Sequence, residues 1–462
     1  MGLASSGDLT LTAGQSLILL GATASGGNAS LSGASIGNAG GLTVSGSLTA
    51  AAANSLDLGA ATVVRDAAVS AANVTLAQTL VGGNLVAAAT QNLTLISAAT
   101  VRGAANLSAG NILSNQNTFG AGGRIDVNAG AFNNAAAASL VASADTSINA
   151  ASIDNQGLIY GNNTTITSAG FFDNSNGRVF AVDRLSVTAG ALVSNQNGVM
   201  AAGQDASLSV GNAASFNNTG GTILANRDLA LNLGGGSFDP SGGRAGTLAA
   251  AGTLAITVAT IANTGAWQPI ANGLVLTLQN DFTNTGTVEL AGDFRLSTPG
   301  NILNSGRIAT GGSIMLAGNT VTNTSQLLAN QNLALVAAAG DVVNRGAIAA
   351  LGDATVSGRA FDNRNATTQA DRNLTVNVSG TLDNRGGSLL AKGNASLSAA
   401  SLDNDRTAPV DTGATLRGHN STLLNDILLQ AATPPTCADL GFGYACTAAM
   451  PKSASATSTP TT

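Results

Sequence analysis

The sequence predicts an all-β fold, a parallel β-helix: a solenoid of roughly 20 turns with about 20 to 21 residues in each. Three observations predict it. An asparagine returns at a near-constant interval through most of the chain. Apolar residues alternate with polar ones at a period of two. The composition is poor in charge and in aromatic residues and rich in glycine.

The asparagine column comes first because it sets the turn length. It runs through Asn115, Asn134, Asn155, Asn174, Asn195 and Asn218, then Asn263, Asn284, Asn304, Asn323, Asn344, Asn363, Asn384 and Asn404. Each sits in a phrase such as Phe282-Thr283-Asn284-Thr285-Gly286 or Leu382-Asp383-Asn384-Arg385-Gly386. Between Asn218 and Asn263 lies one degenerate copy, Phe238-Asp239-Pro240-Ser241-Gly242, with Pro240 in the asparagine slot. Identical slots of a solenoid lie above one another, so the column becomes an inward ladder. Stacked amides can hydrogen-bond along such a ladder, which is how a polar residue is tolerated in the apolar phase.

The alternation supplies the strands. From Phe282 to Leu296 one phase holds Phe282, Asn284, Gly286, Val288, Leu290, Gly292, Phe294 and Leu296. The charges Glu289, Asp293 and Arg295 all fall on the other phase. Period two marks half-buried strands. Glycine at the corner, as in Gly292-Asp293 and Gly352-Asp353, supplies a bend that breaks the run into short strands. A helical reading of the abundant alanine fails, because apolar residues recur at i+2 and Gly, Thr, Asn and Ser interrupt nearly every window.

The composition then excludes function classes. Only 9% of the 462 residues are charged, against roughly 25% in an ordinary globular domain. With one His (His419) and 2 Cys, zinc sites of the Cys/His type lack ligands, and Ser-His-Asp or Cys-His catalysis would have to rest everything on His419. A net charge of -6 argues against nucleic acid, which needs a basic stripe. No apolar run reaches the roughly 20 residues of a membrane helix.

Along the chain, residues 1–110 are expected to hold looser solenoid repeats without the asparagine ladder, built on phrases such as Asp8-Leu9-Thr10-Leu11 and Asn84-Leu85-Val86. Residues 111–408 form the regular array. Its rhythm breaks at residues 234–243 and at Trp267-Gln268-Pro269, where the tryptophan reads as local packing or as a contact patch. At about 4.8 Å per turn the whole array predicts a rod on the order of 100 Å long. Residues 409–450 are expected to cap it, with a short helix over 423–429. The cap carries Cys437 and Cys446, which close a small disulfide hairpin in an oxidising compartment and stay as two thiols otherwise. Residues 451–462 read as a disordered tail.

One charged pattern stands out. Asp362, Asp383 and Asp403 recur once per turn, with Arg345, Arg364 and Arg385 beside them. With the asparagines inward, these point outward and stack into columns. Acidic columns on a β-helix can serve calcium-dependent polysaccharide cleavage. The simpler reading is a solvated face whose opposite charges neutralise one another.

The repeats resemble those of the filamentous-haemagglutinin family. The resemblance rests on phrases such as Gln331-Asn332-Leu333-Ala334-Leu335 and Ile153-Asp154-Asn155-Gln156-Gly157-Leu158-Ile159 and covers about residues 7–408. These are large exoproteins of Gram-negative bacteria secreted by a two-partner system, and the family includes the stalks of contact-dependent inhibition toxins. The resemblance implies a single-stranded, right-handed β-helix. It implies the rigid, non-catalytic, cofactor-free shaft of a surface adhesin, extracellular and a monomeric rod. Its partners would be host-cell or surface glycans and proteins, with an outer-membrane transporter during secretion and no nucleic acid. The alternatives are a toxin stalk and a polysaccharide lyase. The family's Asn-Pro-Asn secretion phrases and a signal peptide are not seen, so the chain is expected to be a stretch of shaft from a longer protein.

Overall fold

The structure, a computed structural model, describes residues 2–405 together with the backbone of Thr436–Asp439 and Tyr444–Thr447. The expected helix at 423–429 and the tail at 451–462 lie outside the described residues. Among the described residues the only helical segments are two short 3-10 turns, Ala213–Ser215 and Gly243–Ala245. The remaining elements are strands, and from residue 3 to 403 every pairing between them is parallel to a strand about 20 residues away. This is the β-solenoid the sequence predicts. Two compact units make it up: residues 1–236 with 243–247, and residues 237–242 with Leu248–Thr462.

In the first unit a turn begins with a short strand such as Leu42–Val44, Ala61–Val63 or Ala99–Val101. A long strand follows, such as Ala67–Leu76, Leu85–Leu95 or Ala105–Asn115. Several long strands bend part-way, where the pairing register shifts, as between Ala89 and Asn92. After Thr146–Asn155 that bend becomes a break, and one long strand is succeeded by two, Thr164–Ser168 and Phe171–Asp173. At this break the Ser168 hydroxyl donates to the carbonyls of Ala151 and Phe171.

In the second unit each turn carries three short strands. Phe282–Asn284, Thr287–Leu290 and Asp293–Ser297 pair with Ile302–Asn304, Arg307–Thr310 and Ile314–Gly318 of the next turn. The inward phase is that read from the sequence: Phe282, Val288, Leu290, Phe294 and Leu296 are buried. Phe282 and Phe294 face each other across the narrow interior with ring centroids 6.4 Å apart. The predicted glycine corner has a steric cause. A Cβ on Gly292 would fall 1.4 Å from the Asn272 carbonyl oxygen of the turn before. Trp267 is buried and pairs in register with Val288, so its role is local packing.

Candidate functional site

The asparagine ladder is built as the spacing requires. Asn115, Asn134 and Asn155 are register partners on successive strands, as are Asn284, Asn304, Asn323 and Asn344. Strand alternation turns each amide inward, and every member from Asn115 to Asn384 is buried. A side-chain amide offers two N–H donors and one carbonyl acceptor. One Nδ2 hydrogen goes to the Oδ1 of the next rung. These bonds run from Asn115 to Asn218 at 2.6 to 2.8 Å. They resume from Asn263 to Asn404 at 2.6 to 2.9 Å. The Nδ2 group also donates to a backbone carbonyl of the following turn, as Asn155 does to Arg178 at 3.2 Å and Asn304 to Gln326 at 3.0 Å. All the amides therefore point the same way along the stack.

This polarity has a boundary condition. The first rung of a run has no amide before it. Among the described residues the Oδ1 atoms of Asn38, Asn115 and Asn263 are buried without a hydrogen-bond partner. Asn115 lies beside Leu95, and Asn38 beside Leu19. Asn263 follows the degenerate copy, where Pro240 has no amide to give. Asn38 is a rung the sequence pattern did not pick out; it donates to the carbonyls of Leu58 and Ala60. The looser N-terminal repeats thus keep the same slot and register. Leu76, Leu95 and Asn115 lie in one column, with leucine in place of amide.

A second ladder was not foreseen. At the corner before many of the inward runs, an Asp or Asn side chain accepts the backbone N–H one turn on. Asp8 accepts from Asn28 at 2.7 Å, and Asn28 from Ser47 at 2.9 Å. Asp293 accepts from Ser313 at 2.8 Å, Asn332 from Asp353 at 2.9 Å and Asp353 from Asn373 at 3.0 Å. The readable signal was the Asp or Asn immediately before a strand, in Asp8-Leu9, Asn332-Leu333 and Asn373-Leu374. The Asn373 N–H bond, outweighing burial, holds the Asp353 carboxyl below its ordinary value.

The charge column of the second unit is a continuous chain of ion pairs. Arg345 grips both carboxylate oxygens of Asp362, one of them at 2.8 Å. Arg364 donates to Asp362 at 3.0 and 2.7 Å and reaches Asp383 at 3.4 Å. Arg385 repeats the pattern on Asp383 at 3.0 and 2.7 Å and reaches Asp403 at 3.2 Å. Burial pushes the Asp362 carboxyl up, but the bonds from Arg364 and Arg345 outweigh it and hold the group well below the usual carboxylate range. The Arg385 hydrogen bonds do the same for Asp383. Asp362, Asp383 and Asp403 are therefore brought together, each engaged by arginine, as a mutually neutralising face. Among the described residues no group of three or more His, Cys, Asp or Glu side chains could hold a metal ion. At Thr436–Asp439 and Tyr444–Thr447 the backbone forms an antiparallel pair with Cys437 opposite Cys446, the register a hairpin-closing disulfide needs.

These arrangements give rigidity and register. The haemagglutinin-repeat family matches residues 113–176, 180–237, 241–286, 271–346 and 332–433, well over half of the chain. Neither the curated proteins nor the solved structures contain a match.

Proposed function

The chain belongs to the haemagglutinin-repeat family, and from that premise we propose that it is a non-catalytic shaft segment of a secreted bacterial surface adhesin. The observation that carries this reading is the uninterrupted ladder. Asn263 to Asn404 form eight rungs in a single hydrogen-bonded run, which fixes the turns against sliding and bending. A scaffold of this kind presents the same outward face turn after turn. Many weak contacts then add by linkage, without any single deep site. Cell-surface glycans or proteins are the partners this reading implies. The location is the bacterial exterior, reached through an outer-membrane transporter. In that oxidising compartment Cys437 and Cys446 are joined.

The test is multivalent display. The full chain coupled densely to fluorescent beads is expected to retain them on erythrocytes, with retention falling steeply as coupling density is lowered. Beads that bind no better at high density than those carrying an unrelated β-solenoid of similar net charge would sink the adhesin reading. Thiol titration of protein purified without reductant should find no free thiol; two free groups would remove the disulfide.

A further inference from the structure

On the outer face of the first unit a groove of about 590 Å³ crosses the long strands Ala105–Asn115, Ile125–Asn134 and Thr146–Asn155. Its lining runs from Ala89 to Ala169, one turn after another, so the groove follows the solenoid axis. The floor is kept low by close approach between turns. A Cβ on Gly110 would fall 2.1 Å from the Thr90 carbonyl oxygen, and one on Gly130 2.5 Å from that of Asn111. One wall is a column of register partners, Ser108, Asn128 and Asn149, which continues uncharged through Thr167 to Asn232. Asn128 and Asn149 are exposed, and they do not repeat the inward ladder. The Asn149 Nδ2 reaches the Asn128 Oδ1 only at 3.4 Å, against 2.6 Å from Asn263 to Asn284 inside. Among the described residues no protein group takes up the Asn128 Nδ2 or the Asn149 Oδ1. Beyond the groove the same strands carry exposed apolar side chains, Ile112 and Phe171 at 42% each.

We propose that this groove holds a neutral, extended glycan chain lying parallel to the solenoid axis. The inference rests on the adhesin reading and names the class of its ligand. Charge argues for a neutral occupant. None of the groove's lining residues is charged, and Arg124 on the same face is already gripped by Asp126, both bonds at 2.6 Å. An anionic glycan would find no free cation there. An extended peptide would find no strand edge, because the backbone of these strands is paired with the turns on both sides. A neutral sugar offers what the groove can use. Its hydroxyl edge exchanges hydrogen bonds with the Ser108, Asn128 and Asn149 side chains, and its C–H face rests on small and apolar residues. The turns repeat at about 4.8 Å, close to the length of one ring in an extended sugar chain, so successive rings meet equivalent groups. From Ala89 to Ala169 the groove spans about 20 Å, room for several rings.

Calorimetric titration of the full chain with β-1,4-linked hexamers of glucose and of N-acetylglucosamine tests it. One or both hexamers are expected to bind at least 10-fold more tightly than the matching dimer, and a heparin hexasaccharide is expected not to compete. Ala151→Arg, which fills the groove from an exposed position, should abolish binding. Asn149→Asp, a milder change that puts a charge in the wall, should weaken it at least 10-fold. Thr165→Arg, also exposed on this face but outside the groove, should leave it unchanged. Circular dichroism of each variant shows that the solenoid survives. Failure of both hexamers to bind, competition by heparin, or binding indifferent to both groove variants would overturn the proposal. The bead assay separates the two readings. Erythrocyte retention by a chain that binds neither hexamer removes the groove and leaves the adhesin, whereas hexamer binding in the groove without retention leaves the groove and removes the adhesin.

Discussion

The ladder makes neighbouring asparagines unequal, and the inequality is measurable. Asn155 accepts from Asn134 and donates to Asn174 and to the Arg178 carbonyl. Changing it to Leu leaves the Asn134 amide, the Asn174 Oδ1 and the Arg178 carbonyl each short of a bond. Asn115 begins a run, and its own Oδ1 is already orphaned. Changing it to Leu strands the Asn134 Oδ1 and the Ser139 carbonyl but removes the existing orphan. The two substitutions differ by about two unsatisfied buried groups, at about 1–3 kcal/mol each. Asn155→Leu is therefore expected to cost at least about 2 kcal/mol more than Asn115→Leu in urea unfolding. Equal costs would mean that the ladder contributes packing and not hydrogen bonds. The column itself was legible, because a polar residue recurring in the apolar phase needs a buried partner, and the partner that recurs at the same interval is its own copy. Asn38 was not, because Leu58, Leu76 and Leu95 replace the amide below it and erase the period.

At the scale of a strand and its corner, close approach decides which glycines matter. Gly292→Ala would drive a methyl group into the Asn272 carbonyl, whereas Gly14 has nothing within 4 Å of its Cβ position. The first substitution is expected to destabilise by on the order of 3 kcal/mol or more and the second to stay within about 0.5 kcal/mol. Calorimetric Tm values of the two variants check this. Glycine at the bend was readable from the pattern; the Asp or Asn beside it, which caps the next turn's N–H, was not, because one such residue looks like any loop residue until the turns are stacked. The ion-pair column adds a pH dependence. The Asp362 and Asp383 carboxyls are depressed in the folded state below the roughly 3.9 of an unfolded Asp. Their stabilising contribution is thus complete above that value and is lost as pH falls through the folded pKa values. Tm is expected to hold between pH 5 and 7 as far as these groups are concerned and to fall below about pH 4. Asp362→Asn, which leaves Arg345 and Arg364 without that carboxylate, should lower Tm at neutral pH and flatten the acid limb. An acid limb as steep as that of the unchanged chain would show that other carboxylates control it.

For the molecule as a whole, low charge and repetition follow from one cause. Stacking places every outward residue about 4.8 Å from its counterpart on the next turn, so a repeated charge would sit against its own copy. The chain carries charge in columns mainly where the sign alternates, as from Arg345 to Asp403. Repetition also means that a turn's contacts are chiefly with the turns directly above and below, so stability is a sum of local terms and nearest-neighbour terms. Damage should then stay near its origin within a unit. Asn155→Leu is expected to speed amide exchange in Ile125–Asn134, Thr146–Asn155 and Phe171–Asp173, which carry Asn134 and Asn155 and directly precede Asn174. Ala61–Val63 and Leu42–Val44, several turns away in the same unit, should keep their protection. Hydrogen exchange followed by mass spectrometry resolves the two cases. Acceleration spread evenly over the unit would replace the nearest-neighbour account with a single cooperative block. In that event a solenoid of this sequence would open all at once, whereas local coupling lets one turn open while those on either side hold.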